Sequence, residues 1–212
     1  MSLVSAVTWS RQPVTAATAA DVIRYGPDIA TEAELRLLGH VAAKRVLELG
    51  CGAGAGSVVM ALQGARAIGV DFSAQHLSAA RRLAERSGVK VELHEGDLGD
   101  LAFARADTVD VVFSVPHPAY DMIVDDDLEE PLLIRRSYFD DSRIDLGTDG
   151  PPYFGYHHTI SDLFTGLSRA NFRVDPILEP EPRREGRGGP HWREASRFVP
   201  RTLVMRARKE GS

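Results

Sequence analysis

Residues 48–56 read Glu-Leu-Gly-Cys-Gly-Ala-Gly-Ala-Gly. No other stretch limits the possible folds as much. The apolar strand Arg45–Leu49 stops at Gly50, and the apolar helix Ser57–Leu62 begins directly after the glycines and ends near Gly64. Glycines between a strand and a helix let the backbone turn tightly and bring its N–H groups against a ligand. A second strand, Ala65–Val70, ends on Asp71, 21 residues after Gly50 (71 − 50). An acid at that spacing can accept hydrogen bonds from both hydroxyls of a ribose, so the unit reads as an adenosine-binding βαβ element.

The alternation continues on both sides. Thr31-Glu32-Ala33-Glu34 has the form of a capping box, and Leu35, Leu37, Leu38 and Val41 extend it as an expected helix to about Ala43. Ser73 caps a helix that Gly88 ends, Val89–Leu93 is a third strand, and Val109–Val115 is a fourth, apolar enough to be covered on both faces. After a Pro-, Asp-, Gly- and aromatic-rich excursion over residues 116–158, Thr159 starts a helix. Phe172–Leu178 and Phe198–Ala207 follow as an antiparallel pair. The predicted fold is α/β: a three-layer, doubly wound Rossmann-like sheet, mostly parallel, with a C-terminal antiparallel hairpin strand. Residues 1–30 form an N-terminal arm or lid, and residues 31–212 a single domain.

Two cofactor classes fit the glycine turn. Gly50-x-Gly52-x-x-Ala55 satisfies the dinucleotide pattern, which admits NAD(P) or flavin. Glu48, however, sits at the strand tip two residues ahead of Gly50. A carboxylate there repels a pyrophosphate, which needs helix N–H groups free of competing negative charge, and suits an ammonium and a sulfonium. Asp97, in Glu95-Gly96-Asp97-Leu98, supplies a third acid, placed to accept from an adenine amino group.

With these residues the chain resembles the class I S-adenosylmethionine-dependent methyltransferases, in particular the small-molecule, type 11/25-like group. The likeness lies in Val46–Gly54, in Gly69-Val70-Asp71-Phe72-Ser73 and in Gly96-Asp97-Leu98; Val109–Ser114 and Leu167–Phe172 look like that family's fourth strand and the approach to its sixth. The resemblance implies S-adenosyl-L-methionine as cofactor and methyl transfer to a small molecule as activity. By it, Glu48, Gly50, Cys51, Gly52 and Gly54 would hold the methionine part and Asp71 the ribose. Phe72 would lie on adenine or in the core. Gly96, Asp97 and Leu98 would border the adenine edge, and Tyr25 in the arm would cover the cofactor.

The chain departs from that family after Ser114. A helix and a fifth strand are expected there, yet Val109–Val115 runs straight into Pro116-His117-Pro118. One crossover unit, about thirty residues by the usual size of a βαβ repeat, is missing. A parallel neighbour for the fourth strand cannot be reached without it, so the sheet should lose a central strand or complete it by pairing between chains. The missing part would also line an acceptor pocket, which leaves a catalytically impaired cofactor-binding protein as a second reading. An NAD(P)-dependent oxidoreductase is the third.

A protonated acceptor would need a general base. His117, at the carboxyl edge of the sheet, is the catalytic candidate; Tyr120, His157 and His158 are the others. Adjacent His157 and His158 do not have metal-ligand spacing, and no metal is expected. Arg135, Arg136, Tyr138, Tyr153, Phe154 and Tyr156 could form an aromatic and basic lid. A net charge of −5 argues against nucleic acid, and Arg183, Arg184, Arg187, Arg193 and Arg197, interleaved with Glu181, Glu185 and Glu194, read as a solvated loop. The single cysteine, the lack of a signal peptide and the lack of an 18-residue apolar run predict a cytoplasmic protein off the membrane, monomeric or homodimeric.

Overall fold

The computed structural model describes residues 22–26, 29–71, 73–96, 109–124, 133–134, 136–145, 154–183, 192 and 194–210. Its centre is a six-stranded sheet. Five stretches alternate as expected: β1 (Arg45–Leu49), α2 (Ala55–Leu62), β2 (Arg66–Asp71), α3 (Ala74–Arg86) and β3 (Glu92–Glu95), preceded by α1 (Glu32–Leu35). Then come β4 (Val109–Pro116) and α4 (Pro118–Asp121). Four short strands follow, β5 (Ile123–Val124), β6 (Leu133–Ile134), β7 (Arg143–Asp145) and β8 (Phe154–Tyr156), and after them α5 (Ile160–Arg169), β9 (Phe172–Leu178) and β10 (Thr202–Lys209).

The strand order is β3-β2-β1-β4-β10-β9. β1 pairs in parallel with β2 on one side and with β4 on the other, so the winding reverses between β1 and β4. The crevice beyond the carboxyl ends of those two strands is the topological switch point where open α/β sheets bind ligands.

The gap left by the missing crossover is closed within the chain. β10 lies directly against β4, antiparallel, in register from Thr202↔Pro116 to Arg208↔Asp110, and pairs on its far side with β9. The crossover requirement applies only to a parallel neighbour, and an antiparallel strand returning from the far edge escapes it. Leu203, Val204, Met205 and Ala207 are fully buried in that position. The sheet does lack a strand between the fourth and the last, and needs no second chain to continue.

Two apolar layers hold it. On one face Leu47, Ile68, Val111, Phe113, Val115 and Met205 pack with Leu163 and Leu167 of α5. On the other, Val46, Ala67, Val112 and Val204 pack with Val59 and Met60 of α2 and with Ile23, Tyr25, Ile29, Leu37, Leu38 and Val41. The end of the predicted arm is therefore core, tied on by the Arg24↔Thr31 bridge.

Several elements differ from expectation. The helix expected from Thr31 to Ala43 keeps its Thr31/Glu34 capping box but ends at Leu35, with Arg36 left-handed. Glu32 is the reason: its carboxylate accepts from the backbone N–H groups of Leu37, Leu38 and Gly39 and from the Tyr25 hydroxyl, winding the chain into a turn. Leu37, Leu38 and Val41 are still buried, so the apolar spacing marked burial rather than a helix. The third strand begins at Glu92 instead of Val89. The last begins at Thr202 instead of Phe198, because a 3-10 turn, Glu194–Arg197, and Pro200 occupy the approach. The excursion of 116–158 holds two two-stranded pairs, β5·β6 and β7·β8, whose strands are too short to show a period. Among the described residues no helix is long and apolar enough to cross a membrane.

Candidate functional site

The glycine turn lies where β1 ends. Gly50, Gly52 and Gly54 all have positive φ, and Gly54 is the N-cap of α2. The turn is tied to β2 twice: the Cys51 N–H donates to the Val70 carbonyl (2.9 Å), and the Gly52 N–H donates to Asp71 Oδ2 (2.8 Å). Asp71 is 1% exposed. Its other oxygen accepts from the Ser73 N–H (2.9 Å), and His76 Nδ1 lies 3.5 Å away. An ionised carboxylate has about four lone-pair sites; two are taken by backbone, and the rest remain for other donors.

Glu48, half-buried at the tip of β1, accepts a 2.5 Å hydrogen bond from the Ser57 hydroxyl on the first turn of α2. A Cβ on Gly56 would collide with that carboxylate, so the helix start is cut back to leave the acid room. Burial pushes the Glu48 carboxyl up to about 7; the Ser57 bonds oppose this and the Asp71 charge adds to it. The Cys51 side chain fills the space over Gly69, where a Cβ would lie 2.9 Å from its sulfur. Burial raises the thiol above its ordinary range, which leaves Cys51 a packing group rather than a nucleophile. A backbone cradle with a nearby acid at a helix start fits a cationic adenosyl group and disfavours a pyrophosphate.

Comparison with known proteins agrees with this arrangement. The family model of the methyltransferase domain matches residues 46–130. A ubiquinone biosynthesis O-methyltransferase from Hahella chejuensis is 42% identical over 82 residues, 36% of this chain and 34% of its own. The chain thus spans about a third of the length of such curated relatives. A Listeria monocytogenes structure classed as an S-adenosylmethionine-dependent methyltransferase superposes with a TM-score of 0.63 at 23% identity, covering 83% of this chain and 94% of that one. An S-adenosylmethionine-dependent methyltransferase from Mesorhizobium loti gives 0.62 at 20% identity, covering 84% and 96%. The fold is that of a class I S-adenosylmethionine-dependent methyltransferase.

In this methyltransferase fold the expected cofactor residues Glu48, Gly50, Cys51, Gly52, Gly54 and Asp71 come together at the carboxyl ends of β1 and β2. Gly96 joins them through its N–H, which donates to the Asp71 carbonyl (3.2 Å). Phe72, Asp97 and Leu98 lie outside the described residues. Tyr25 is 4% exposed, its hydroxyl donating to Glu32 Oε2 at 2.6 Å, and Glu48 lies close enough for its charge to act on the phenol. Burial, with Glu32 beside it, raises its phenol far above the ordinary range.

His117 does follow β4 at the carboxyl edge, but both its nitrogens are engaged. The Ala119 N–H donates to Nδ1 (3.1 Å), capping α4, so the ring proton sits on Nε2 and is donated to Glu179 Oε1 (2.8 Å). An imidazole with no free lone pair is a tie between α4 and the end of β9, not a ready base. His157 is 2% exposed, while His158 is half-buried and held below the usual histidine range by that burial. Tyr138 packs edge-on against His157 and Arg136 pairs with Asp140, whereas Arg135, Tyr153 and the side chains of Phe154 and Tyr156 lie outside the described residues. Of the basic cluster, Arg183 pairs with Glu34 and Arg197 with Glu194, as a solvated loop would; Arg184, Arg187 and Arg193 also lie outside the described residues.

Sequence reasoning missed Ser57. It had a usable signal, a hydroxyl on the first helical turn facing a strand-tip acid.

Proposed function

We propose that this chain binds S-adenosyl-L-methionine at the glycine turn and transfers its methyl group to a small-molecule acceptor. The observation that carries this reading is Glu48: a half-buried carboxylate held by Ser57 beside the start of α2, where a dinucleotide would place phosphate. When bound, the cofactor supplies an activated methyl on sulfonium. The protein's share is alignment and exclusion of water. Glu48 would face the positive end of the cofactor, the Gly50–Gly54 backbone would seat it, and the spare lone pairs of Asp71 would accept from the ribose hydroxyls. Ubiquinone biosynthesis O-methyltransferases align with 34–38% of this chain, so their acceptor is not carried over.

The direct test is thermal shift. S-adenosylhomocysteine at a hundred times its Kd should stabilise the chain by about 2.7 kcal/mol by mass action, and NAD and NADP should leave it unmoved. Silence from S-adenosylhomocysteine, or an equal shift with NAD, would overturn the assignment.

A second prediction concerns pH. With its folded pKa raised to about 7, Glu48 favours the folded state below the ordinary glutamate range, and that contribution is lost as pH rises through about 7. Binding of a cation has the opposite dependence, because it needs the ionised form. Affinity for S-adenosylmethionine should therefore rise about tenfold from pH 6 to pH 8, one proton being released on binding. Calorimetric titration of Glu48→Gln should show weaker and pH-independent binding; a wild-type affinity that is flat over that range would refute the role given to Glu48.

A further inference from the structure

The helix that follows the glycine turn begins without a side chain to close it. Gly54 is the N-cap of α2 and makes no side-chain cap bond, so the first N–H groups of the helix need an acceptor from elsewhere. Glu48, at the tip of β1, provides one. It accepts from both the hydroxyl and the backbone N–H of Ser57, the third residue of α2. The hydroxyl bond is 2.5 Å long, at the short end of the range for an O–H group donating to a carboxylate. Ser57 is fully buried, whereas Glu48 is half-buried. Gly56 lacks the Cβ that would strike Oε1, which lets the acid lie against the helix start.

A serine in the first turn of a helix often serves only its own backbone. Here its hydroxyl leaves the helix and meets a carboxylate on the neighbouring strand. A hydrogen bond given to the charged form of an acid favours that form, and a bond fixed at both ends also sets the direction of the charge. We propose that Ser57 is a positioning residue for cofactor binding: it holds Glu48 as an oriented anion at the strand tip, and so sets the lowest pH at which the site accepts a cation. This deepens the cofactor reading and rests on it. Ser57 acts through Glu48 and is given no contact of its own with the cofactor.

The surroundings show what Ser57 works against. Burial favours the neutral acid, and Asp71 at the end of β2 adds a second negative charge. The Cys51 thiol in the turn and the Tyr25 phenol ahead of α1 both feel the Glu48 charge, and burial keeps both protonated and neutral. Arg206 on β10, whose charge reaches Tyr25, is engaged by Asp175 and the Leu37 carbonyl. The two Ser57 donors oppose the burial and the Asp71 charge.

The test titrates the full chain with S-adenosylhomocysteine by calorimetry from about pH 6 to about pH 8.5, wild type against Ser57→Ala. Loss of the hydroxyl should raise the pH at which Glu48 is half-ionised by about one unit, the usual worth of a hydrogen bond to a charged group. From a wild-type value of about 7, Ser57→Ala should bind about fivefold more weakly at pH 7 and nearly as wild type at about pH 8.5. Ser57→Thr, which keeps the hydroxyl, should titrate like wild type. Carbon NMR of the Glu48 carboxyl in the free chain should show the same shift without any ligand. Should Ser57→Ala fold poorly, Ser57→Thr against Ser57→Val decides instead: both carry the larger side chain, and only the first has a hydroxyl. A hydroxyl-free variant that binds more weakly by one factor at every pH, or whose Glu48 titrates as in wild type, overturns the proposal. With S-adenosylhomocysteine bound by wild type, such a result sinks the role of Ser57 alone. If wild type does not bind it, the cofactor reading fails and the proposal falls with it.

Discussion

Asp71→Ala should unfold at markedly lower denaturant than wild type and bind S-adenosylhomocysteine more weakly. The carboxylate is 1% exposed and both of its oxygens are used, one by the Gly52 N–H and one by the Ser73 N–H. Removing it leaves a buried donor in the glycine turn and a part-buried one at the start of α3. Each unpaired donor costs about 1–3 kcal/mol, so a total of about 2–6 kcal/mol is expected, a large share of the roughly 5–15 kcal/mol that holds a typical domain. Asp71→Asn should be no gentle substitute: an amide offers one acceptor and sets an N–H group against the other backbone donor. The same change also tests the coupling between the two acids. Asp71 contributes to the raised Glu48 carboxyl, so the pH dependence of the remaining binding should move to lower pH. Urea unfolding at unchanged slope, with calorimetry alongside, measures both effects. A variant as stable as wild type would show that Asp71 does not hold the turn.

The cofactor half of the chain was legible because its constraints are local. Gly50, Gly52 and Gly54 between a strand and a helix, and Ser73 three residues before His76, act over one or two turns of backbone. The acid at the end of the next strand is brought to the turn by the parallel pairing of β1 with β2. The structure shows each of them: Gly54 caps α2, Asp71 reaches the Gly52 N–H, and Ser73 accepts from the His76 N–H. The failures lay in side-chain bonds and strand pairings that apolar spacing does not carry. Nothing near Leu35 announces that Glu32 will take three backbone donors and end the helix. The Tyr25 hydroxyl donates to the same carboxylate, seven residues on. His117 was rightly placed at the carboxyl edge, but its lone pair is taken by the backbone two residues on and its proton by Glu179, sixty-two residues away. The departure after Ser114 was also visible, yet its resolution was not. Whether an antiparallel strand could close the sheet depended on β10 supplying buried residues in register with β4, which only the three-dimensional pairing reveals.

Gly54→Ala should destabilise the chain nearly as much as Asp71→Ala, for purely steric reasons. Gly54 has φ 79°, a left-handed conformation that costs an L-residue with a side chain roughly 1–2 kcal/mol. Its added Cβ would lie 2.7 Å from the Ala80 Cβ and 3.2 Å from the Ala80 Cα on α3. That is backbone and a short side chain, with no flexible end to swing away, and overpacking of this kind costs typically 1–3 kcal/mol. The sum is about 2–5 kcal/mol, and relief by moving the turn would draw the Gly52 N–H away from Asp71 and spoil the cradle. The two contributions can be separated by a second substitution. Ala80→Gly removes the Cβ that is struck and costs about 1 kcal/mol of helix propensity on its own, but leaves the backbone strain at residue 54. In a double-mutant cycle the pair should therefore be less destabilised than the sum of the single changes by about 1–2 kcal/mol, with S-adenosylhomocysteine binding partly restored. Strict additivity would place the whole cost in the backbone of Gly54 and none in the approach of α2 to α3. The close packing of the glycine turn on Ala80 would then have no bearing on how the cofactor crevice is shaped.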